Sequence, residues 1–172
     1  MATKADIEAT KRVLEEIAQN KKGFYPEELF HGLHLAVSFP YLEVAIVRRN
    51  SKGKVEILLA YREDQDWKGW HIPGGLFRTN LNIEEIGNQI ALRELNTGVE
   101  FLAKGTWEKW MSHHPHGKPF SHIAIFKPTE LGVEKTDVRW FSKPPENLIN
   151  DGGKHRAFIE SILLQVERDK LL

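Results

Sequence analysis

Cysteine is absent from the 172-residue chain, which removes disulfides, zinc ribbons and any thiol nucleophile from the available chemistry and fits a reducing compartment. An excess of charge is absent as well. The 24 lysines and arginines balance 24 aspartates and glutamates, so no global field draws the chain to nucleic acid or to an anionic membrane. No apolar run reaches the length of a membrane span. The start, Met1-Ala2-Thr3-Lys4-Ala5-Asp6, lacks the apolar core of a signal peptide. These absences lead to the expectation of a cytoplasmic protein whose partners include no nucleic acid and no membrane. What is present is ordinary globular composition, 41% hydrophobic and 28% charged. The length suits one domain with a proper core rather than two.

There is no internal repeat and no low-complexity segment. Between Thr3 and about Asn20 the residues Ile7, Val13, Leu14 and Ile17 recur at helical spacing. Pro26 with Glu27 and Glu28 reads as a second helix start, with proline in the first turn and acids at the positive end of the dipole. That helix should stop before Pro40. Residues 1–40 are therefore read as an N-terminal helical extension to a main unit over 41–172. Two uses are open to the extension, covering one sheet or forming a homodimer surface.

From Leu42 the period shortens. Leu42–Val47 and Lys54–Ala60 read as strands joined by a hairpin turn at Asn50-Ser51-Lys52-Gly53. Trp70–Gly75 is a short strand running into a turn. Ile83–Asn96 is a helix, with Thr97-Gly98 placing glycine for a C-cap. Further β segments are expected at Val99–Phe101, with Glu100 alternating outward, and around Thr106–Met111, Ser121–Lys127 and Asp137–Phe141. Lys154 to about Arg168 closes the chain as an amphipathic helix with Phe158, Ile159, Ile162, Leu163 and Val166 on one side. Mixed strands with a few helices suggest sheet layers flanked by helices.

The stretch from Pro73 to Val99 carries the chemistry. At 100° per residue, Ile83, Ile86, Gly87, Ile90 and Glu94 fall on one helical stripe. Four of these suit packing against a sheet; a carboxylate there needs a hydrogen bond, an ion pair, a metal or a cavity. A frayed helix end would also release Glu94 to water.

The ordered set Pro73-Gly74-Gly75, Glu85, Arg93-Glu94-Leu95 and Thr97-Gly98-Val99 resembles the signature of the Nudix hydrolases, G-x5-E-x7-R-E-U-x-E-E-x-G-U with U a bulky apolar residue. The flanks are similar too, with Leu58-Leu59-Ala60-Tyr61-Arg62 before it and Asp137-Val138-Arg139-Trp140-Phe141 and a closing helix after it. The likeness spans about Leu42 to Leu164. It implies an α+β fold, a Nudix-type α/β/α sandwich with a mixed sheet, carrying an N-terminal helical extension. It also implies a hydrolase that cuts a small-molecule nucleoside diphosphate derivative with Mg2+ or Mn2+ as cofactor. Magnesium offsets the charge of a diphosphate that repels an incoming oxygen. Two departures stand out: nine residues separate Gly75 from Glu85 where the family has five, and Asn96-Thr97-Gly98 replaces the x-E-E-x-G ending. The paired glutamates are missing. A Nudix-fold binding or regulatory module without turnover is the alternative that this loss raises.

By the same resemblance Glu94 is the retained metal carboxylate and Arg93 orients neighbouring acids. Glu85 matches the isolated glutamate and is the second metal candidate. Its structural alternative is a capping box with Asn82, and nine residues on one helix point Glu85 and Glu94 in opposite directions. Gly74, Gly75, Arg62, Arg78 and Trp70 are the candidate substrate-binding residues: the arginines for phosphate, with exposed surface charge the plainer reading of at least one, and Trp67 or Trp70 for stacking, with core packing the commoner fate of tryptophan. The GDP-mannose mannosyl hydrolase branch of the family also departs from the signature and uses a loop histidine as base. Trp107, Trp110 and Ser112-His113-His114-Pro115-His116-Gly117 are similar in placement. They make His114 and His116 candidate catalytic bases toward a nucleotide sugar; a solvated turn is the plainer reading of the same residues.

Overall fold

The structure is a computed structural model that describes residues 2–19, 29, 32–33, 38–78, 81–109, 120–130, 136–149 and 153–172. Ten elements are laid out along it: α1 (Lys4–Gln19), β1 (Pro40–Arg49), β2 (Val55–Glu63), β3 (Lys68–His71), β4 (Gly74–Leu76), α2 (Ile83–Leu95), β5 (Val99–Lys109), β6 (Phe120–Pro128), β7 (Val138–Phe141) and α3 (Lys154–Asp169). The helix expected from Pro26 lies almost wholly outside the described residues.

The run Leu42-Glu43-Val44-Ala45-Ile46-Val47 is buried throughout because β1 is central and covered on both faces. On one edge it pairs in parallel with β6; on the other it pairs antiparallel with β2 and, nearer its start, with β4. The sheet order is β3-β2-β1-β6-β5, with β7 added to β2. Alternation then divides the core into two layers. Leu42, Val44 and Ile46 meet Ile86, Ile90, Ala91 and Leu95 of α2. Ala45 and Val47 meet Phe158, Ile159, Ile162 and Val166 of α3. The sheet therefore lies between two helices. At 25 cal/mol per Å², each of these large buried side chains contributes roughly 1.5–3 kcal/mol.

The hairpin after β1 forms as the sequence predicts, with Gly53 at φ 76° and its N–H donating to the Asn50 carbonyl at 2.9 Å. Three expectations are corrected. Gly74-Gly75 is not a turn but the start of β4, where Glu43 pairs with Gly74 and Leu42 with Gly75. The left-handed residue ending α2 is Asn96, at φ 54°, and not Gly98; asparagine tolerates that conformation. Gly98 instead sits tight against Thr129, whose N–H donates to its carbonyl at 2.9 Å. The segments expected at Val99–Phe101 and around Thr106 are also not separate but one strand, β5, beginning at Val99. The apolar side of α1 is exposed, with Ile7 at 60% and Leu14 at 41%. No helix among the described residues is long and apolar enough to cross a membrane.

Candidate active site

A cavity of about 330 Å³ opens where the start of β1, the ends of β2 and β3, β4, the last turn of α2 and the first turn of α3 converge. The last turn of α2 delivers Glu94 into it. Its stripe neighbours Ile86, Gly87 and Ile90 are buried, while the Glu94 side chain keeps 22% of its surface. The helix end thus turns its acid toward the opening and not into the core. Burial raises the Glu94 pKa, against the lowering hydrogen bond and charge of Arg93 and the charge of Arg62. A carboxylate at the negative end of a helix dipole is a further unfavourable placement for stability. Arg93 grips Glu94 Oε1 through Nη2 and lies 3.4 Å from the Gly74 carbonyl, which ties the acid to β4.

A second acid faces the same cavity, and the sequence did not single it out. Glu43 is 5% exposed on the central strand, and its Oε1 accepts from the buried Ser121 hydroxyl at 3.0 Å. Its Oε2 lies where a side chain on residue 74 would be: an added Cβ there would stand 2.7 Å away. Gly74 is therefore the residue that lets β4 close over Glu43. Gly75 has the same role toward α2, since a Cβ on it would stand 3.1 Å from Ile90 Cδ1. Tyr41, two residues before Glu43 and on the same face, also lines the cavity. Burial first, then the Glu43 charge, push its phenol far up, against Arg62.

Arg62, from β2, lies on the wall, where it pairs with Asp64 and acts on Tyr41, His71 and Glu94. Arg78 follows β4 and is not on the cavity wall. Of the two indoles, Trp70 takes the core reading and not the stacking one, 6% exposed between Tyr61 and Phe141 at centroid distances of 5.3 and 5.0 Å. Trp67 lines the cavity. Glu85 closes a capping box with Asn82, its N–H donating to Asn82 Oδ1 at 2.9 Å and its Oε2 accepting from the Asn82 N–H at 2.8 Å. It is exposed, lies one end of α2 away from Glu94 and does not join it at the cavity. His114 and His116 lie outside the described residues. His71 and His155 line the cavity unforeseen.

Among the described residues no group of three or more His, Cys, Asp or Glu side chains is placed to enclose a metal ion. The cavity nonetheless offers hard oxygen donors in its lining, the Glu94 and Glu43 carboxylates. Magnesium is commonly held by one or two carboxylates, with water and substrate phosphate completing the octahedron. Two carboxylates fit the usual protein share of a magnesium site.

Against family models and against curated proteins the sequence finds no match. Solved structures do match. The chain is similar to a UDP-X diphosphatase, at 16% identity and TM-score 0.56, over 98% of this chain and 86% of that one. It is similar to the C. elegans Ap4A hydrolase at 15% identity and TM-score 0.53, over 79% of this chain and 100% of that one. A third is the bifunctional NMN adenylyltransferase/ADP ribose pyrophosphatase of Francisella tularensis, complexed with AMP and a Mn ion. It matches at 14% identity and TM-score 0.53, over 96% of this chain and 48% of that one. The architecture is thus the Nudix-type α+β fold with a mixed sheet and an N-terminal helix.

Proposed function

We propose that the chain hydrolyses a nucleoside diphosphate linked to a further group, and that the Glu94 and Glu43 carboxylates would hold the Mg2+ or Mn2+ cofactor. The observation that carries this reading is Glu94, an acid on a largely buried helical face that opens into a cavity lined by a second acid, Glu43. Arg62 binds the diphosphate and offsets its charge. Arg93 orients Glu94, and Ser121 fixes Glu43 from behind. When bound, the ion offsets the phosphate charge that would repel an incoming oxygen. The base that takes a proton from water is assigned to His114 or His116, whose neutral imidazole suits that task near pH 7. The UDP-X diphosphatase and the Ap4A hydrolase, as their names state, act on compounds of this class, which supports the assignment.

One observation favours a second reading. The Arg93 guanidinium already engages Glu94 Oε1, and the paired glutamates of the signature are missing, as in a module that binds without turnover. Titration calorimetry with magnesium and a nucleotide panel, run beside a phosphate- and sugar-release assay, separates the two. Glu94→Gln is expected to lower turnover by about two orders of magnitude. Binding without product, unchanged in that variant, would establish the module instead.

A further inference from the structure

The first helix stands outside both core layers. The described side chains of α1, Lys4 to Glu16 and Gln19, are exposed all round its circumference, and none belongs to either apolar cluster. A lone helix of 16 residues is marginal in water; helices in proteins draw most of their stability from an amphipathic face packed on a neighbour. Such a face is present. At 100° per residue Ile7 and Leu14 share a stripe with Thr3 and Thr10, and Val13 lies at its border. The groove on this side is lined by Asp6, Ile7, Thr10, Lys11 and Leu14. The threonines do not spoil it. Thr10 Oγ1 donates to the Asp6 carbonyl at 2.8 Å and Thr3 Oγ1 donates to Asp6 Oδ2 at 2.6 Å. Each hydroxyl is thus bonded within the helix, and a methyl is left for a partner.

The order Thr3, Ile7, Thr10, Leu14 steps by four, three and four, which is the seam of a two-stranded helical pair. The borders of that seam carry opposite charge, Asp6 on one side and Lys4 and Lys11 on the other. With two copies side by side and parallel, Asp6 of each lies against the partner's Lys11, five residues further on, the place where charged pairs set orientation. With the copies antiparallel, the two lysine borders face each other. Both groups are available. Lys11 keeps 71% of its side-chain surface and reaches Glu15 only at 3.7 Å, a weak exposed pair. The Thr3 hydroxyl and backbone N–H hold the Asp6 carboxyl below its usual range, so it is charged at neutral pH. We propose that α1 is a self-association surface that takes the α1 of a second copy of this chain in parallel register, with Asp6–Lys11 pairs on both sides of the seam. At 1.5 Å per residue the helix is about 24 Å long, room for two heptads, so the association is weak and reversible. It is independent of the cavity and its chemistry.

The test is sedimentation equilibrium of the full chain from about 1 µM to about 1 mM, the span of weak affinities. The wild-type protein is expected to pass from one chain to two across that range, and Leu14→Glu to remain a single chain throughout. Asp6→Lys sets like charges together at both borders, and so does Lys11→Glu; each should weaken self-association by about tenfold. An equimolar mixture of these two variants sets opposite charges together again and should associate as tightly as the wild type. A melted helix could not be rescued in this way, so the mixture separates lost pairing from lost folding. Because the chain has no cysteine, Ile7→Cys adds a single thiol, which parallel pairing sets beside its own copy; oxidation should join two chains. A wild-type protein that stays a single chain over the whole range overturns the proposal, as does a dimer that survives Leu14→Glu. A mixture no tighter than its components, with no cross-link through residue 7, overturns the parallel register.

Discussion

Replacing Gly74 by alanine tests whether the site depends on the closure of β4 over Glu43. The new Cβ would stand 2.7 Å from Glu43 Oε2, 3.2 Å from its Cδ and 3.1 Å from the Leu42 carbonyl oxygen. The carbonyl belongs to the central strand and cannot yield. The carboxylate is held by Ser121 on its other oxygen, so it cannot swing away without losing a buried hydrogen bond. Overpacking of this kind costs about 1–3 kcal/mol. At about 2–4 °C per kcal/mol for a chain of this size, the melting temperature should fall by roughly 2–12 °C. Gly75→Ala is the control, because its nearest atoms are side-chain carbons of Ile90, Cδ1 at 3.1 Å and Cγ1 at 3.3 Å, which yield more readily than a strand carbonyl. Its cost should stay within about 1.5 kcal/mol. Shortening the acid, Glu43→Asp, should recover part of the Gly74→Ala loss, with a coupling of at least about 0.5 kcal/mol in a double-mutant cycle. Calorimetric melts of the four proteins read this directly. Strict additivity, or a Gly74→Ala protein that melts with the wild type, would refute the argument that Gly74 exists to admit Glu43.

Two further outcomes separate structural from functional acids. Asn82→Ala removes the cap that Glu85 completes and should lower stability by about 1 kcal/mol. Magnesium affinity by calorimetry should be unchanged; a fall would return Glu85 to the metal site. Glu94→Gln should lose turnover yet gain relative stability as pH rises. The Glu94 pKa is raised on folding from 4.5, so the folded state binds more protons than the unfolded one in the window above 4.5. Wild-type stability therefore falls as pH climbs through that window, and the charged form is carried at a cost above it. Denaturant titrations of both proteins from pH 4 upward check the sign. A variant that loses ground to wild type with rising pH would show that the Arg93 pair outweighs burial.

The fold was largely legible because its signals are local. Apolar period, the Asn50–Gly53 turn, the Asn82/Glu85 cap and the Gly-Gly and Arg-Glu placements each reside within a few residues. The misplaced features are those in which tertiary contact decides. Asn96 took the left-handed cap because Gly98 was needed against Thr129, and Trp70 went to the core between two other rings. Glu94 was legible as a misfit on an apolar stripe. Glu43 left the same kind of trace, one acid inside Leu42–Val47. In a strand with one wet face, though, an acid is ordinary, and only the discovery that β1 has helices on both sides makes it costly. The same test would have found it earlier: a run long enough and apolar enough to be a central strand has no solvent face on which to put a charge. Ser121 satisfies one oxygen, and the other lies against Gly74 at the cavity wall.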